Sequence, residues 1–286
     1  MADRIAVVAQ GTMGSGIARV LTEHGAEVLT LLDGRSPASR SRAEAAGMRE
    51  ATEMELAGAD LILSIVPPGQ ALGLAQRLVE PLRTAARKPA FVDCNALDVR
   101  TVRGIGEVIG SAGAPFVDGG IIGGPPMQGA EGPTLYLSGD DAGQVAAALG
   151  RLGLRARPIE GGVGAASALK MSYAGITKGI TAIAAVMILG ATRAGAAEAL
   201  IAELRESQPQ LAARFSKALP DMVPKAYRWV AEMHEIAAFL ESDPAGQSMF
   251  DGAAQLYSRL SDGSAAGSEA VRSIQAFAAQ LAATQP

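Results

Sequence analysis

At 286 residues the chain is long enough for one large core or two smaller ones. Hydrophobic residues make up 49% and charged residues 19%, which excludes a disordered chain. A formal net charge of -4 with no dense basic block excludes a broad nucleic-acid surface, so an anionic ligand has to be held by local features.

In chain order, Ile5-Ala6-Val7-Val8 reads as a buried strand. A helix from Gly14 to His24 follows, with Ile17, Val20 and Leu21 on one face. Glu27 to Leu32 is a second strand, and Leu61 to Val66 a third, closed by Pro67-Pro68. Ala90-Phe91-Val92-Asp93 and Pro115-Phe116-Val117-Asp118 are two more, each ending in an acid, and Thr134 to Leu137 is a late strand. Strand and helix in alternation predict right-handed crossovers and a mostly parallel sheet, with ligands at the carboxyl ends of its strands.

The pattern changes near residue 160. Ala165 to Ala191 predicts one long helix, weakened by roughly 1 kcal/mol at each of Gly175, Gly179 and Gly190 relative to Ala, although small residues there also admit a close neighbour. Further helices are predicted over Ala194–Leu204, Gln210–Leu219, Val223–Glu241, Ala245–Leu260 and Ser268–Ala283, with prolines near the breaks. The reading is an α/β Rossmann domain over 1–160, then a long connecting helix and an all-helical domain over 161–286. Cys94 is the only cysteine, and the opening Met1-Ala2-Asp3-Arg4 runs straight into a strand. A cytoplasmic protein without a signal peptide is expected. The most apolar stretch, Ile176 to Ala191, is interrupted by Lys178 and short for a membrane span.

The first strand leads into Ala9-Gln10-Gly11-Thr12-Met13-Gly14 and then a helix. Bare backbone at Gly11 lets a diphosphate approach, and the helix-start amides and dipole favour its charge. Ala9 stands where the usual fingerprint has its first glycine. After the second strand, the position normally acidic in NAD enzymes falls at Leu32. Arg35, Ser36 and Arg40 lie close together and suit a 2′-phosphate. NADP(H) is favoured over NAD(H), and a solvated arginine loop is the plain alternative.

Two later segments, Asp118 to Pro126 and Gly164 to Tyr173, join this fingerprint in order. Together they resemble the β-hydroxyacid dehydrogenases, the 3-hydroxyisobutyrate dehydrogenase-like and 6-phosphogluconate dehydrogenase-like superfamily. Leu32 to Pro37, Ser167 to Met171 and Thr177-Lys178-Gly179 are similar to a branch with the DUF1932 C-terminal domain. The resemblance implies that Lys170 is the catalytic lysine and that the Ile122-Gly123-Gly124 loop contacts substrate. It also implies that Val66-Pro67-Pro68 and Asn95 line the nicotinamide end of the cofactor, and that a helix carrying His234 closes over it. A homodimer through the helical domain is implied as well.

The residues agree with this. Alcohol oxidation releases a hydride to the nicotinamide and a proton to a general base. An ammonium returns that proton in reduction and stabilises the developing alkoxide. Lysine, with a pKa of about 10.4 when free, becomes suitable when desolvated. Lys170 is one of few charges in its apolar stretch; a snorkelling interface lysine is the plain alternative. Tyr173, Ala174 and Thr177 share its helical face. Lys178, about 80° away, is a weaker candidate for a substrate carboxylate. Three departures from the family pattern, Ile122 for Ser, Ala174 for Asn and His234 for Lys, imply a more apolar pocket and argue against ordinary 3-hydroxyisobutyrate. Cys94 has no matched base for nucleophilic work, and no His, Cys, Asp or Glu cluster has metal-ligand spacing. The sequence leaves three readings open: a small 3-hydroxy acid dehydrogenase, an imine reductase, or a non-catalytic NADP(H)-binding sensor.

Overall fold

The computed structural model describes residues 3–8, 10–127 and 132–283. The chain divides into two compact units after Met171, inside a helix, and not at residue 160. The first turns of that helix pack on the sheet and so belong with it.

The first unit is built on eight strands: β1 (Arg4–Val8), β2 (Glu27–Thr30), β3 (Met48–Glu50), β4 (Leu61–Ser64), β5 (Ala90–Asp93), β6 (Phe116–Ile122), β7 (Thr134–Ser138) and β8 (Arg155–Pro158). Their order is β3-β2-β1-β4-β5-β6-β7-β8, and all neighbours are parallel except β6 and β7. The crossovers carry α1 (Thr12–Glu23), α2 (Pro37–Ala45), α3 (Glu53–Ala57), α4 (Ala71–Thr84), α5 (Val99–Gly110) and α6 (Ala142–Arg151). Alternation along each strand feeds two cores. Ile5, Val7, Val28, Leu63 and Val117 pack with Ile17 and Leu21 of α1 and Leu149 of α6. Ala6, Val8, Leu29, Ile62 and Phe91 pack with Leu56, Leu78, Leu82 and Ile105 on the opposite face.

Strands β3 and β8 and helix α2 were not evident from hydropathy. Both strands are short, charged edges, a common way of discouraging edge pairing. Helix α2 is polar; Ser36 caps it, accepting from Ser39 N, and Pro37 opens it. Strands β2 and β4 end two residues earlier than the apolar runs suggest, at Thr30 and Ser64, where the chain turns out of the sheet.

The second unit is the remainder of α7 (Ala165–Arg193) with α8 (Ala197–Ser207), α9 (Pro209–Met222), α10 (Ala226–Phe239), α11 (Pro244–Ser261) and α12 (Ala265–Ala282). A single 3-10 turn, Val223–Lys225, precedes α10, so that helix starts later than its apolar pattern. Gly175 and Gly179 of α7 face the ring of Phe250 from α11; a Cβ would lie 3.2 and 3.4 Å from its edge. Their helix cost is offset by this close packing. Lys178 pairs with Glu232 and lies 5.1 Å from the centre of the Trp229 ring. Tyr257, fully buried, donates to Lys178 O at 2.7 Å and meets Trp229 edge-on. By length and composition α7 could cross a bilayer, but 44% of its most apolar window is buried within the protein.

Candidate functional site

The turn after β1 has the form needed to receive an anion. Gly11 is the N-cap of α1, with φ -71° and ψ 174°, and no side chain caps the helix. No acidic residue occupies the first turn, and nothing lies within 4 Å of a Cβ placed on Gly11. Open amides at the positive end of a helix, reached over bare backbone, fit a dinucleotide diphosphate. Thr12 is exposed, Met13 half-buried and Gly14 buried; Ala9 lies outside the described residues.

Gln10 has internal partners that the sequence does not reveal. Its side chain turns inward, donating to Thr30 Oγ1 at 2.5 Å and Leu31 O at 2.8 Å, while Thr30 donates to Val7 O at 2.7 Å. A buried amide needs such partners, so Gln10, 2% exposed, staples β1 to β2. Arg42 takes up the Gln10 backbone, with Nε 2.7 Å from Gln10 O and Nη2 3.0 Å from Ser39 Oγ. Neither Ser39 nor Arg42 was picked out from sequence. Their signal was a run of Ser and Arg on a helix that read as a loop.

Leu32 is buried and Asp33 exposed, so no carboxylate occupies the expected ribose-binding position. Arg35 is half-buried. Ser36 caps α2, and Arg40 donates to Leu32 O at 2.7 Å while pairing with Glu50 at 3.2 Å. Arg40 is therefore partly neutralised, whereas Arg42 is anchored through neutral acceptors.

At the carboxyl ends of β4 and β5 the chain is pinned by Asn95. Its Oδ1 accepts from Val66 N at 2.6 Å, and its Nδ2 donates to Ser64 Oγ and Asp93 Oδ2, both at 2.9 Å. Only 4% of Asn95 is exposed, so it fixes the Val66-Pro67-Pro68 segment from within. Pro67 is exposed and Pro68 half-buried. Burial, together with the charge of Asp118, pushes the Asp93 carboxyl up to about 7 against the opposing hydrogen bonds from Asn95. Burial, and then the charges of Asp93 and Asp118, push the Cys94 thiol well up, so it is unsuited to nucleophilic work at neutral pH.

Lys170 stands on the second turn of α7, half-buried, with Nζ donating to Ile121 O at 2.6 Å. It is thereby held at the end of β6, on the same sheet edge as the fingerprint turn, Val66 and Asn95. Close approach depends on Gly120, where a Cβ would lie 2.7 Å from Ala166 O and 3.3 Å from Lys170 Cβ. Ile122 is half-buried, and Gly123 and Gly124 are exposed beyond it, Gly123 with φ +120°. The following segment rests on α1: Gly16 leaves room for Pro126, and Arg19 Nη2 donates to Pro126 O at 3.0 Å.

The remaining site candidates belong to the helical unit. Tyr173 is 51% exposed, and Thr177 Oγ1 is turned onto Tyr173 O at 2.8 Å. Lys178 is engaged by Glu232 and Trp229, which leaves its charge committed within the unit. His234 is exposed, with Nδ1 3.4 Å from Asp251 Oδ1. Among the described residues no group of three or more His, Cys, Asp or Glu could hold a metal ion.

The NAD binding domain of 6-phosphogluconate dehydrogenase matches residues 4–153, and a domain of unknown function, DUF1932, matches 191–260. No curated protein matches. Among solved structures, the chain is 30% identical to a conserved protein of unknown function described as structurally similar to 3-hydroxyacid dehydrogenases, covering 89% of this chain and 98% of that one at a TM-score of 0.70. Mycobacterium tuberculosis 3-hydroxyisobutyrate dehydrogenase, solved with L-serine, is 18% identical over 99% of this chain and 100% of its own, with a TM-score of 0.75. An imine reductase from Myxococcus stipitatus in complex with NADP+ is 18% identical over 92% and 94%, with a TM-score of 0.55. These last two likenesses bear on the fold alone. With more than half its length matched, the chain belongs to the family of the 6-phosphogluconate dehydrogenase NAD-binding domain and continues into a DUF1932 domain.

Proposed function

We propose that this protein is an NADP(H)-dependent oxidoreductase that interconverts a small 3-hydroxy acid, or a related alcohol, and its carbonyl form, with Lys170 as general acid and base. The observation that carries the reading is the Lys170 ammonium held at 2.6 Å from Ile121 O, at the carboxyl edge of the dinucleotide-binding sheet. Bound cofactor supplies or accepts the hydride. In reduction Lys170 donates a proton to the forming alkoxide; in oxidation its neutral amine takes the hydroxyl proton. The exposed Gly123-Gly124 backbone offers amides to a substrate carboxylate. Lys178 is left to the helical unit because Glu232 already meets its charge.

The preference for NADP(H) over NAD(H) is supported by the missing carboxylate at Leu32 and by the donors Arg35, Ser36, Ser39 and Arg42 at the end of β2. The test is hydride transfer from NADPH and NADH to a panel of 3-oxo and 2-oxo acids. Turnover should favour NADPH, and Lys170→Ala should reduce it by at least ~100-fold with cofactor affinity nearly unchanged. Full turnover in that variant would remove the assignment.

Imine reduction is the second reading, supported by the apolar Ile122 and the buried Ala174 where the family pattern has Ser and Asn. Turnover of cyclic imines but not oxo acids with NADPH would select it. We also propose a cytoplasmic homodimer assembled through the helical unit. Ile183 and Met187, both more than half exposed, form a ridge on α7 between two apolar grooves of about 350 Å³ each. A ridge beside grooves on one helix is self-complementary across a two-fold axis. Met187→Glu should give a monomer by light scattering.

A further inference from the structure

Asp118 lies in the middle of β6 with no exposed surface. Four donors converge on it. Gly164 N at 3.0 Å, Ser167 N at 2.9 Å and Ser167 Oγ at 2.6 Å come from the start of α7, and Ser138 Oγ at 3.1 Å comes from the end of β7. Ser138 Oγ in turn accepts from Ala166 N at 3.0 Å. Three amides at the opening of α7 are thus satisfied by side chains of the sheet. Helix starts leave such amides without intrahelical partners, and their dipole favours an anion. All four contacts are donors, which suits an acceptor-only carboxylate.

The same turn is fixed in a second way. Gly119 and Gly120 leave the strand bare where α7 lies: a Cβ on Gly120 would come 2.7 Å from Ala166 O. The carboxylate sets the position and rotation of the helix, and the bare strand sets its height. Ser167 and Lys170 are three residues apart and share a helical face. The face anchored by Asp118 is therefore the one that delivers the ammonium to Ile121 O.

We propose that Asp118 is the positioning residue for Lys170: its carboxylate, tied to the opening turn of α7, holds the helix in the one phase that places Nζ at the sheet edge. This inference rests on the acid–base role proposed for Lys170, but its test has readouts independent of turnover. In Asp118→Asn, reductive methylation of Lys170, followed by peptide mass spectrometry, should change at least fivefold while Lys178 on the same helix is unaffected. Hydrogen exchange of residues 166–170 should accelerate at least tenfold. The dissociation constant for NADPH should stay within twofold, and kcat should fall at least thirtyfold with KM changed less than threefold. Unchanged labelling and exchange at 166–170 would overturn the proposal whatever the activity. If instead Lys170→Ala retained turnover, the acid–base role would fall and the labelling would still judge the positioning. Should Asp118→Asn fail to fold, Ser167→Ala removes one of the four bonds. Lys170 labelling must then change at least twofold with Lys178 constant; no change overturns the proposal.

Discussion

Replacing Gly120 with Ala adds one methyl group at the point where α7 meets β6. The new Cβ would sit 2.7 Å from Ala166 O and 3.3 Å from Lys170 Cβ. The nearer atom is backbone, so no rotamer change relieves it. Restoring ordinary contact requires the opening turn of α7 to retreat by about 0.7 Å. Overpacking of this kind costs about 1–3 kcal/mol, and moving a reacting group by ~1 Å can cost as much as ~100-fold in rate. Gly120→Ala should therefore unfold at lower urea concentration, by that free energy, and lose ~10- to 100-fold in kcat. NADPH affinity, followed by nucleotide fluorescence, should stay within about threefold, because the fingerprint turn belongs to β1, with β4 and β5 between it and β6. Gly104→Ala is the control: it lies inside α5 with nothing within 4 Å of its Cβ, and should gain roughly 0.5–1 kcal/mol. If Gly120→Ala kept both stability and turnover while Gly104→Ala behaved as expected, α7 could not depend on a bare strand, and the positional argument for Lys170 would fail.

Asp93 titrates near 7 in the folded protein against an ordinary value of 3.8. From about pH 4 to 7 the folded state holds a proton that the unfolded chain has released, so stability should fall as pH rises, by up to roughly 4 kcal/mol, and level off above 7. Asp93→Asn should flatten that slope in urea titrations; an identical slope would contradict the assignment. Glu55, whose carboxyl is held down near 2 first by the Thr52 backbone and then by Arg49, acts below pH 4.5 and so meets this window only at its acid end. Arg42→Ala should raise KM for NADPH about tenfold, the value of one charge-assisted contact, with KM for NADH unchanged; equal effects on both cofactors would move the phosphate grip elsewhere. Lys178→Met should lower the stability of the helical unit by about 2 kcal/mol through the stranded Glu232, with KM for an oxo acid within threefold. A selective rise in KM would return Lys178 to the substrate.

Hydropathy revealed the sheet because parallel strands buried on both faces are continuous apolar runs, as in Val7-Val8 and Leu61 to Ser64. It failed at β3 and β8, where the edge position makes charge useful and leaves three or four residues without an apolar signature. The long α7 was legible despite its glycines, but their purpose at Phe250 was not, because the ring arrives from α11, about seventy residues later. Site residues divide in the same way. Gly11 and Lys170 stand out in the sequence because the chemistry expected of them is carried by the residue type itself: bare backbone and an amine. For Gln10 and Asn95 the structure adds protein partners, Thr30, Leu31 and Val66, that sequence does not reveal, since residue type does not say which way an amide points. Arg42 does not stand out in the sequence because the segment from Arg35 to Arg40 reads as a phosphate cradle or a solvated loop, whereas it forms a helix capped by Ser36.

The two acids that end neighbouring apolar runs, Asp93 and Asp118, show how one sequence signal splits into two physical roles. They are partners in the register of β5 and β6, so their burial is nearly the same. Their donors are not. Asp93 is met by the backbone and side chain of Asn95, two positions away, and through Asn95 it steadies the Val66 segment at the neighbouring strand end. Asp118 is met by residues 46 and 49 positions further on, so it joins the sheet to the start of another helix. A local contact of the first kind can form as soon as the strand does; the second requires β6, β7 and α7 to be assembled. The acid that governs the proposed acid–base group is for that reason the one whose role no local pattern can reveal. Exchanging the two defects separates the roles: Asp93→Asn should disturb the Val66 segment and leave Lys170 labelling unchanged, whereas Asp118→Asn should do the reverse.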